Sequence, residues 1–572
     1  MVAVSGPKDT QKTQSRTDPI TLEIVSNRLE AIGKEMGITL LKTAHTSIFC
    51  ECQDFSVSTF TYKGELLTMG QFIPHHQGGV SQALQQIVNQ RVPDEFKQGD
   101  VYIINDSYLG GTHPQDLSLL APIFVEDEMV GFSGCTAHQI DIGGMTAGGY
   151  APKASSIYQE GIRFPGIKLV DQGILQTSVL DMFIRAVRLP YQQRGDILAQ
   201  LATVRRGTER IAEVAAKYGA IQFKQIQNDI LDHAEVLARA EIEKLPDGVY
   251  EAVDYIDHDG HEARLYKLCL KLTIVGSDIH LDFDGTDNQA AGFINASFSN
   301  TVASSWAGLM LFLDPSIPRN HGFFRPISVS APEGCLFNPR FPAPIGGSTT
   351  EGGGRVYDLL LQALSKAQPE RGIGTWSMMW SALFFSGTHP KTGEPFIHNV
   401  LDGLGTGGGA RASLDGWHAS CIASSNSMIP NVEVEEENFP VRYLRRELKT
   451  DTGGPGQFRG GCALETEILV EVDCLLTAFT SRKDCPPPGI FGGHSGGASI
   501  FKIIRNNGTE EELPQKVADV PVQAGDRVIL RPGGGGGYGE PQLRDRTKVR
   551  EDLKLGFISP QAAANTYQLD IA

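Results

Sequence analysis

The sequence predicts a multidomain protein of the α+β or mixed α/β class, with a helical-and-sheet N-terminal domain and β-rich middle and C-terminal regions. Three observations carry that prediction. The chain has 572 residues, enough for several domains at about 100–200 residues each. Apolar positions recur at helical spacing in some stretches and alternate in others. Composition changes twice, near "PDGVYEAVDYI" and again near residue 400, where glycine and short strand patterns take over. The domains expected from this are a disordered arm over 1–17, an N-terminal domain over 18–245, a mixed α/β middle domain over 246–400 and a β-rich, glycine-containing domain with a helical tail over 401–572.

Element by element, residues 1–17 are polar and read as an arm. Asp18 can cap a helix whose first turn takes Pro19. Val25, Leu29, Ile32, Met36 and Leu40 then share one face. "FSVSTFTYKGELLTM" reads as a hairpin turning at Lys63-Gly64. "QALQQIVNQ" reads as a short helix, and "DVYIINDSY" and "MVGFSGCTAHQIDI" as strands with polar ends. Residues 176–245 are helical, 246–288 are strands, and "NTVASSWAGLMLFL" and "GRVYDLLLQALSKAQ" are helices. The tail suggests two short helices joined at Ser559-Pro560.

Bulk properties exclude several functions. With 67 acidic and 50 basic residues the net charge is -17, which argues against nucleic acid or an anionic membrane surface as the main partner. No apolar run reaches the roughly 18 residues of a membrane span, and the N-terminus has no signal core. Nine cysteines without a CxxC read as free thiols, so a cytoplasmic location is expected. No GxSxG elbow and no HExxH helix occur. "GGSTTEGGGR" and "GLGTGGGAR" do not match a phosphate-binding loop, so these glycine runs read as flexible or tightly turned connections. Asp284 of "FDGT" and His389 of "GTHPKTG" read as turn and loop residues.

The chemistry concentrates in "NDSYLGGTHPQD" (105–116) and "TAHQIDIGG" (136–144). His113, His138 and Asp141, with Asp54 of "CECQDFS", make two imidazoles and two carboxylates, a set that suits Zn, Mn or Fe(II). Asp106 and Asp116 are reserve ligands, and His75 and His76 of "IPHHQGG" could line the same pocket. Loop ligands have no fixed register, however. The spacing alone leaves a second reading open, in which the histidines bond loop backbone and the aspartates cap turns.

Longer motifs narrow the choice. "DPITLEIVSNRLEAIGKEMGITLLKTAHT", "ECQDFSVSTF", "IINDSYLGGTHPQDLSLLAPIF", "AHQIDIGG", "IYQEGIRFPGIKL", "RGDILAQLATVRRG", "DFDGTDNQAAGFINA", "FPVRYLRRELKTDTGGPGQFRGG", "GIFGGHSG" and "PGGGGGYGEP" occur in this order. Together they resemble the hydantoinase B/oxoprolinase family over nearly the whole chain beyond residue 17. The resemblance implies the B-type subunit of an ATP-dependent cyclic amide hydrolase acting on a hydantoin, lactam or oxoproline. A hydantoinase A-type partner would use ATP with Mg to phosphorylate a substrate carbonyl or amide oxygen. The B-type chain would then attack the activated ring with metal-activated water. It further implies a divalent metal, zinc first and Mn or Fe otherwise, on Asp54, His113, His138 and Asp141. Apart from the resemblance, Glu51, three residues before Asp54, is placed either to carry a proton or to orient a ligand, and His76 is the competing candidate for the proton. A hetero-oligomer with two copies of each chain is implied as well. Two alternatives remain: a subunit of an ATP-dependent ketone carboxylase using bicarbonate, and a noncatalytic scaffold for the A-type partner. Ser107, His75 and Gln139 depart from the family pattern, and the His75 and Gln139 changes bear on which substrate fits.

Overall fold

The computed structural model describes residues 17–91, 95–377, 380–421 and 425–570. The arm expected over 1–17 lies, apart from Thr17, outside the described residues. Helix α1 (Pro19–Thr43) begins as its sequence predicts: the Asp18 carboxylate accepts the Thr21 N–H at 2.9 Å. Val25, Leu29, Ile32, Met36 and Leu40 are all buried on its inner face. After the single turn α2 (Ser47–Cys50), β1 (Phe55–Thr61) and β2 (Leu66–Met69) form the expected hairpin, with Gly64 at φ 81° in the turn.

That hairpin has no solvent face along β1, because all seven residues of the strand are buried. It lies inside a seven-stranded antiparallel sheet with β3 (Val101–Ile104), β4 (Asp116–Val125), β5 (Glu128–His138), β6 (Pro165–Asp171) and β7 (Ile174–Leu175), in the order β2-β1-β5-β4-β3-β6-β7. The polar residues of β1 find partners internally. Ser58 Oγ donates to Gln77 Oε1 at 2.9 Å, and the Thr59 and Thr68 hydroxyls bond at 2.7 Å, as burial requires. Strand β4 carries no alternation in "DLSLLAPIFV", as expected of a strand covered on both faces.

Helix α3 (Pro74–Gln90) starts well ahead of the expected "QALQQIVNQ" segment at 82–90, and takes His75, His76, Gly78 and Gly79 into its first turns. Two glycines early in a helix disfavour it on propensity. Here packing overrides propensity: a Cβ on Gly78 would stand 2.9 Å from Ala303 Cα, and one on Gly79 would stand 2.9 Å from the Gly111 carbonyl carbon.

The helices α4 (Thr177–Ala186), α5 (Pro190–Ala216) and α6 (Ala220–Ile242) follow where the sequence places them. α5 packs between α1 and the β4–β5 pair. Strands β8 (Gly248–Asp257), β9 (Leu265–Val275), β10 (Asp278–Asp282) and β11 (Ile327–Ser330) make a second sheet in the order β11-β10-β9-β8. Helices α7 (Phe298–Phe312), α8 (His321–Phe324) and α9 (Gly353–Ala367) join the layers, α7 lying on α3 and α9 lying on β8 and β9. One buried cluster runs from Val25 through these elements to Leu404 and Phe479. The composition change near 246 therefore marks a change of element type within a continuous core.

From Ala382 onward the chain adds a four-stranded and a five-stranded sheet with their own apolar cluster, including Phe385, Ile468, Phe501 and Leu530, so two strands of the first come from residues 382–400. The glycine runs of this region, expected as flexible or tightly turned connections, are ordered by backbone pairing. Gly407 N–H donates to Gly533 O at 3.0 Å, Gly461 N–H to Gly408 O at 2.8 Å, Gly535 N–H to Gly461 O at 3.0 Å and Gly454 N–H to Gly535 O at 2.8 Å. A Cβ on Gly534 or Gly461 would overlap the carbonyl oxygens of Thr452 and Trp417. Glycine is needed here because backbones bond one another with no room for side chains. The tail helices Arg546–Leu555 and Pro560–Asn565 form as expected, with Ser559 capping the second. Among the described residues no helix is long and apolar enough to cross a membrane.

Candidate metal centre

Strand pairing builds the site. In the β4–β5 register Asp116, the first residue of β4, lies opposite His138, the last of β5. The His138 N–H donates to Asp54 O at 3.1 Å, which fixes the residue ahead of β1 beside them. The loop carrying His113 is seated on the glycine start of α3, where the Gly111 N–H donates to Gly79 O at 3.0 Å. Gly110, at φ 122°, lies so close to α3 that a Cβ would overlap Ala83.

The side chains converge. His113 Nε2 is 2.9 Å and His138 Nδ1 3.3 Å from Asp116 Oδ1, and the two nitrogens are 3.2 Å apart. His76 Nε2 is 3.2 Å from Asp116 Oδ2 and 3.8 Å from Asp54 Oδ1. Thr112 Oγ1 donates to Asp116 Oδ2. His75 belongs to the same neighbourhood, grouped with His76 and Asp116 and edge-on to the His76 ring at 4.8 Å. His76, His113, Asp116 and His138 are all buried. Tyr150 stacks on His138 at 5.4 Å, and Trp380 meets both rings edge-on. The cavity between them is about 30 Å³ and is lined by Asp54, His76, His113, His138, Tyr150 and Trp380, among others. That is room for an ion with a water or two. A larger cavity of about 570 Å³, lined by His45, Gln192, Lys391 and Glu437 among others, contains none of the clustered ligands.

Burial alone would raise the Asp116 carboxyl, but the His113 and His76 charges and the imidazole hydrogen bonds hold it well below the usual carboxylate range. Burial works against the His76 imidazolium; the charge and hydrogen bond of Asp116 outweigh it and leave its pKa raised. The Tyr150 phenol is pushed far up, by burial first and then by the Asp116 and Asp54 charges, so it stays neutral.

The donor set fits a cation. His113 Nδ1 lies 3.0 Å from the Gly346 carbonyl oxygen, which can only accept. Nδ1 therefore carries the proton, and in the neutral ring Nε2 presents a lone pair to Asp116 Oδ1 at 2.9 Å. Two acceptors at that distance need a positive charge between them, supplied by a second proton or by a metal ion. The second nitrogen of a ligating histidine is commonly tied to a carbonyl in this way.

Not every expected ligand is brought in. Asp54, His76, His113 and His138 line the cavity. Asp141 is buried but points elsewhere: one oxygen accepts the Arg188 backbone N–H at 2.6 Å, and the other accepts Arg188 Nη1 at 3.0 Å and the Gly143 N–H at 3.3 Å. Both its oxygens are already committed to donors, and it is not among the cavity-lining residues. Glu51 follows α2 with its N–H on Ser47 O and is likewise not among the residues lining the cavity. Asp106, a reserve ligand, pairs with Arg163 at 3.1 Å. The other reserve, Asp116, is central. The signal for it was the His-x-x-Asp spacing of "HPQD", which gains meaning only when Asp116 opens a strand opposite His138.

These features define a class of large multi-sheet chain: a buried histidine–aspartate centre at joined strand ends, seated on loops that glycine lets pack backbone to backbone. The chain belongs to the hydantoinase B/oxoprolinase family, whose family model matches residues 18–541. It is 32% identical to the beta chain of the caprolactamase of Pseudomonas jessenii, covering 96% of this chain and 96% of that one. It is also 32% identical to the B chain of a putative D-/L-hydantoinase of Pseudomonas sp. strain NS671, over 97% of this chain and 96% of the relative. The crystal structure of the ATP-dependent caprolactamase from Pseudomonas jessenii superposes with a TM-score of 0.92 at 30% identity, covering 97% of each chain. A nucleotide-free acetone carboxylase shares the fold, with a TM-score of 0.89 at 21% identity over 97% of this chain and 80% of that chain.

Proposed function

We propose that this chain is the B-type subunit of an ATP-dependent cyclic amide hydrolase, receiving a lactam or hydantoin whose carbonyl oxygen an A-type partner has phosphorylated at the expense of MgATP. The observation that carries the reading is the convergence of His113 Nε2, His138 Nδ1 and Asp116 Oδ1 within 3.3 Å of one another. It occurs in a chain alignable almost end to end with the beta chain of a caprolactamase.

An amide resists water because resonance stabilises it and its nitrogen leaves poorly. Phosphorylation of the oxygen makes the carbon a better electrophile. A divalent ion, zinc or else Mn or Fe(II), held by His113, Asp116 and His138 with Asp54 and His76 alongside, would supply the Lewis acidity that makes water a usable nucleophile near neutral pH. In this reading Asp116 stays anionic and organises three imidazoles. His76 holds a proton at Nε2 on the cavity wall, and is better placed for proton transfer than Glu51. Tyr150 and Trp380 keep bulk water out, and Trp380 Nε1, buried without a hydrogen-bond partner among the described residues, offers a donor to a substrate oxygen. Asp116 takes the ligand place that the motifs suggested for Asp141.

The test is to co-purify the chain with its A-type partner, supply MgATP and caprolactam or hydantoin, and measure ring opening alongside elemental analysis. We expect near-stoichiometric metal in the wild type. Asp116→Ala and His138→Ala should lose the metal and at least about 100-fold in ring-opening rate, as loss of direct ligands demands. Unchanged activity in His138→Ala would point to the scaffold reading, and labelled bicarbonate in the product to the carboxylase reading.

A further inference from the structure

Glu160 is deeply buried and touches no member of the cluster, yet it sits one peptide away from it. It follows the short 3-10 turn Ile157–Gln159, which Ser156 and Gln159 cap reciprocally. Its Oε2 accepts the Ile345 N–H at 2.8 Å and its Oε1 accepts the Gly346 N–H at 2.7 Å. The next group along is the Gly346 carbonyl, 3.0 Å from His113 Nδ1. The approach is close, and a Cβ on Gly346 would be 2.8 Å from Glu160 Oε1. Gly346 is thus held on both sides, its N–H and that of Ile345 on the Glu160 carboxyl group, whose pKa burial pushes up to about 8, and its carbonyl on the imidazole.

We propose that Glu160 is a positioning residue that acts through Gly346 to hold His113 as the Nδ1–H tautomer, with the Nε2 lone pair aimed at Asp116 and His138. The role in metal binding rests on the reading of the cluster as a metal centre; the tautomer assignment does not. The arrangement does what a carboxylate bound directly to a ligating histidine does, with one residue of backbone inserted. Aligning two N–H groups on the two oxygens of one carboxyl group pins the 345–346 backbone, and the direction of the carbonyl follows. Glu160→Gln keeps size and shape but presents one amide NH₂ to a backbone N–H, a donor facing a donor, so the backbone rotates away.

The experiment uses the full chain, labelled with ¹⁵N at histidine, in wild-type and Glu160→Gln forms. Long-range proton–nitrogen spectra of the metal-free proteins report the His113 tautomer, and Zn²⁺ titration against a chromophoric chelator reports affinity. In the metal-free wild type His113 should always hold its Nδ1 proton, with or without the second proton that faces Asp116, whereas Glu160→Gln should show a mixture of Nδ1–H and Nε2–H forms. The variant should bind Zn²⁺ about 10–100-fold more weakly, the usual cost of losing an outer partner. A variant that always holds the Nδ1 proton and keeps wild-type affinity overturns the proposal. Should Glu160→Gln fail to fold, the wild type alone still decides, because His113 found as the Nε2–H tautomer overturns it. If the wild type binds no Zn²⁺ the metal reading falls, and the tautomer still judges Glu160.

Discussion

At the residue scale the centre separates two aspartates that look alike in the sequence. Asp116 faces three imidazoles, whereas Asp141 faces Arg188 and two backbone N–H groups. Asp141→Asn should therefore keep metal stoichiometry while losing about 1–3 kcal/mol of stability, the cost of leaving buried or charged donors without their acceptor. Asp116→Asn should do the reverse, losing metal first; elemental analysis and urea unfolding of the two variants separate the cases. A different residue sets a pH response. His418 accepts the Cys462 N–H at 3.0 Å and lies against Phe557 at 4.2 Å. Burial, and then the Arg459 charge, pull its pKa from 6.5 to about 4. The folded state thus binds fewer protons than the unfolded state between those values, so this contribution is present above pH 6.5 and is lost as pH falls toward 4. The melting temperature should drop across that window, and His418→Gln should flatten the drop in a calorimetric series.

At the element scale, the turn that presents Thr349 to the site is anchored from behind. The π-helical turn Ser348–Gly352 places Thr349 Oγ1 3.4 Å from His113 Nδ1. Further along the same turn, Glu351 enters the interior, pairing with Lys516 Nζ at 3.3 Å and accepting Ser481 Oγ–H at 2.8 Å. Neither charge reaches solvent. Lys516→Met would leave a buried carboxylate without its cation, which costs about 3–5 kcal/mol. Adding Glu351→Gln should recover much of that loss, since an uncompensated charge is the larger part of the penalty. Chemical unfolding of the two variants checks this; equal loss in both would mean that the pair contributes shape rather than charge.

At the scale of the whole molecule, glycine decides how segments distant in sequence can touch. In the C-terminal region glycine-bearing stretches bond to each other's backbone, so a single methyl has nowhere to go. Gly535→Ala would drive a Cβ into the Gly408 carbonyl and should abolish soluble expression. Gly393→Ala, with nothing within 4 Å but φ 72°, should cost only about 1–2 kcal/mol of backbone strain. Comparing the soluble yield and melting temperature of the two tests whether these glycines serve close approach or flexibility. The same principle operates at the centre, where Gly79 on α3 lets the His113 loop settle against the helix.

What the sequence by itself determined were the locally encoded features. Asp18, Pro19 and the 25–29–32–36–40 spacing define α1, Gly64 turns the first hairpin, and Ser559 caps the last helix. The ordered glycine–aspartate–histidine motifs also sufficed to recognise the family and to pick out His76, His113 and His138. Other outcomes belong to tertiary structure alone. α3 extends through two glycines because Ala303 and Gly111 press against them, a packing gain that propensity does not contain. The glycine runs, which read as either flexible or tightly turned connections, are ordered because their partners lie far along the chain. Asp116 rather than Asp141 meets the histidines because the β4–β5 register sets it opposite His138, 22 residues away. Sequence spacing governs which side chains share a face within one element. Which elements lie together is decided by burying their faces and pairing their backbones, and the centre is assembled where such elements end side by side.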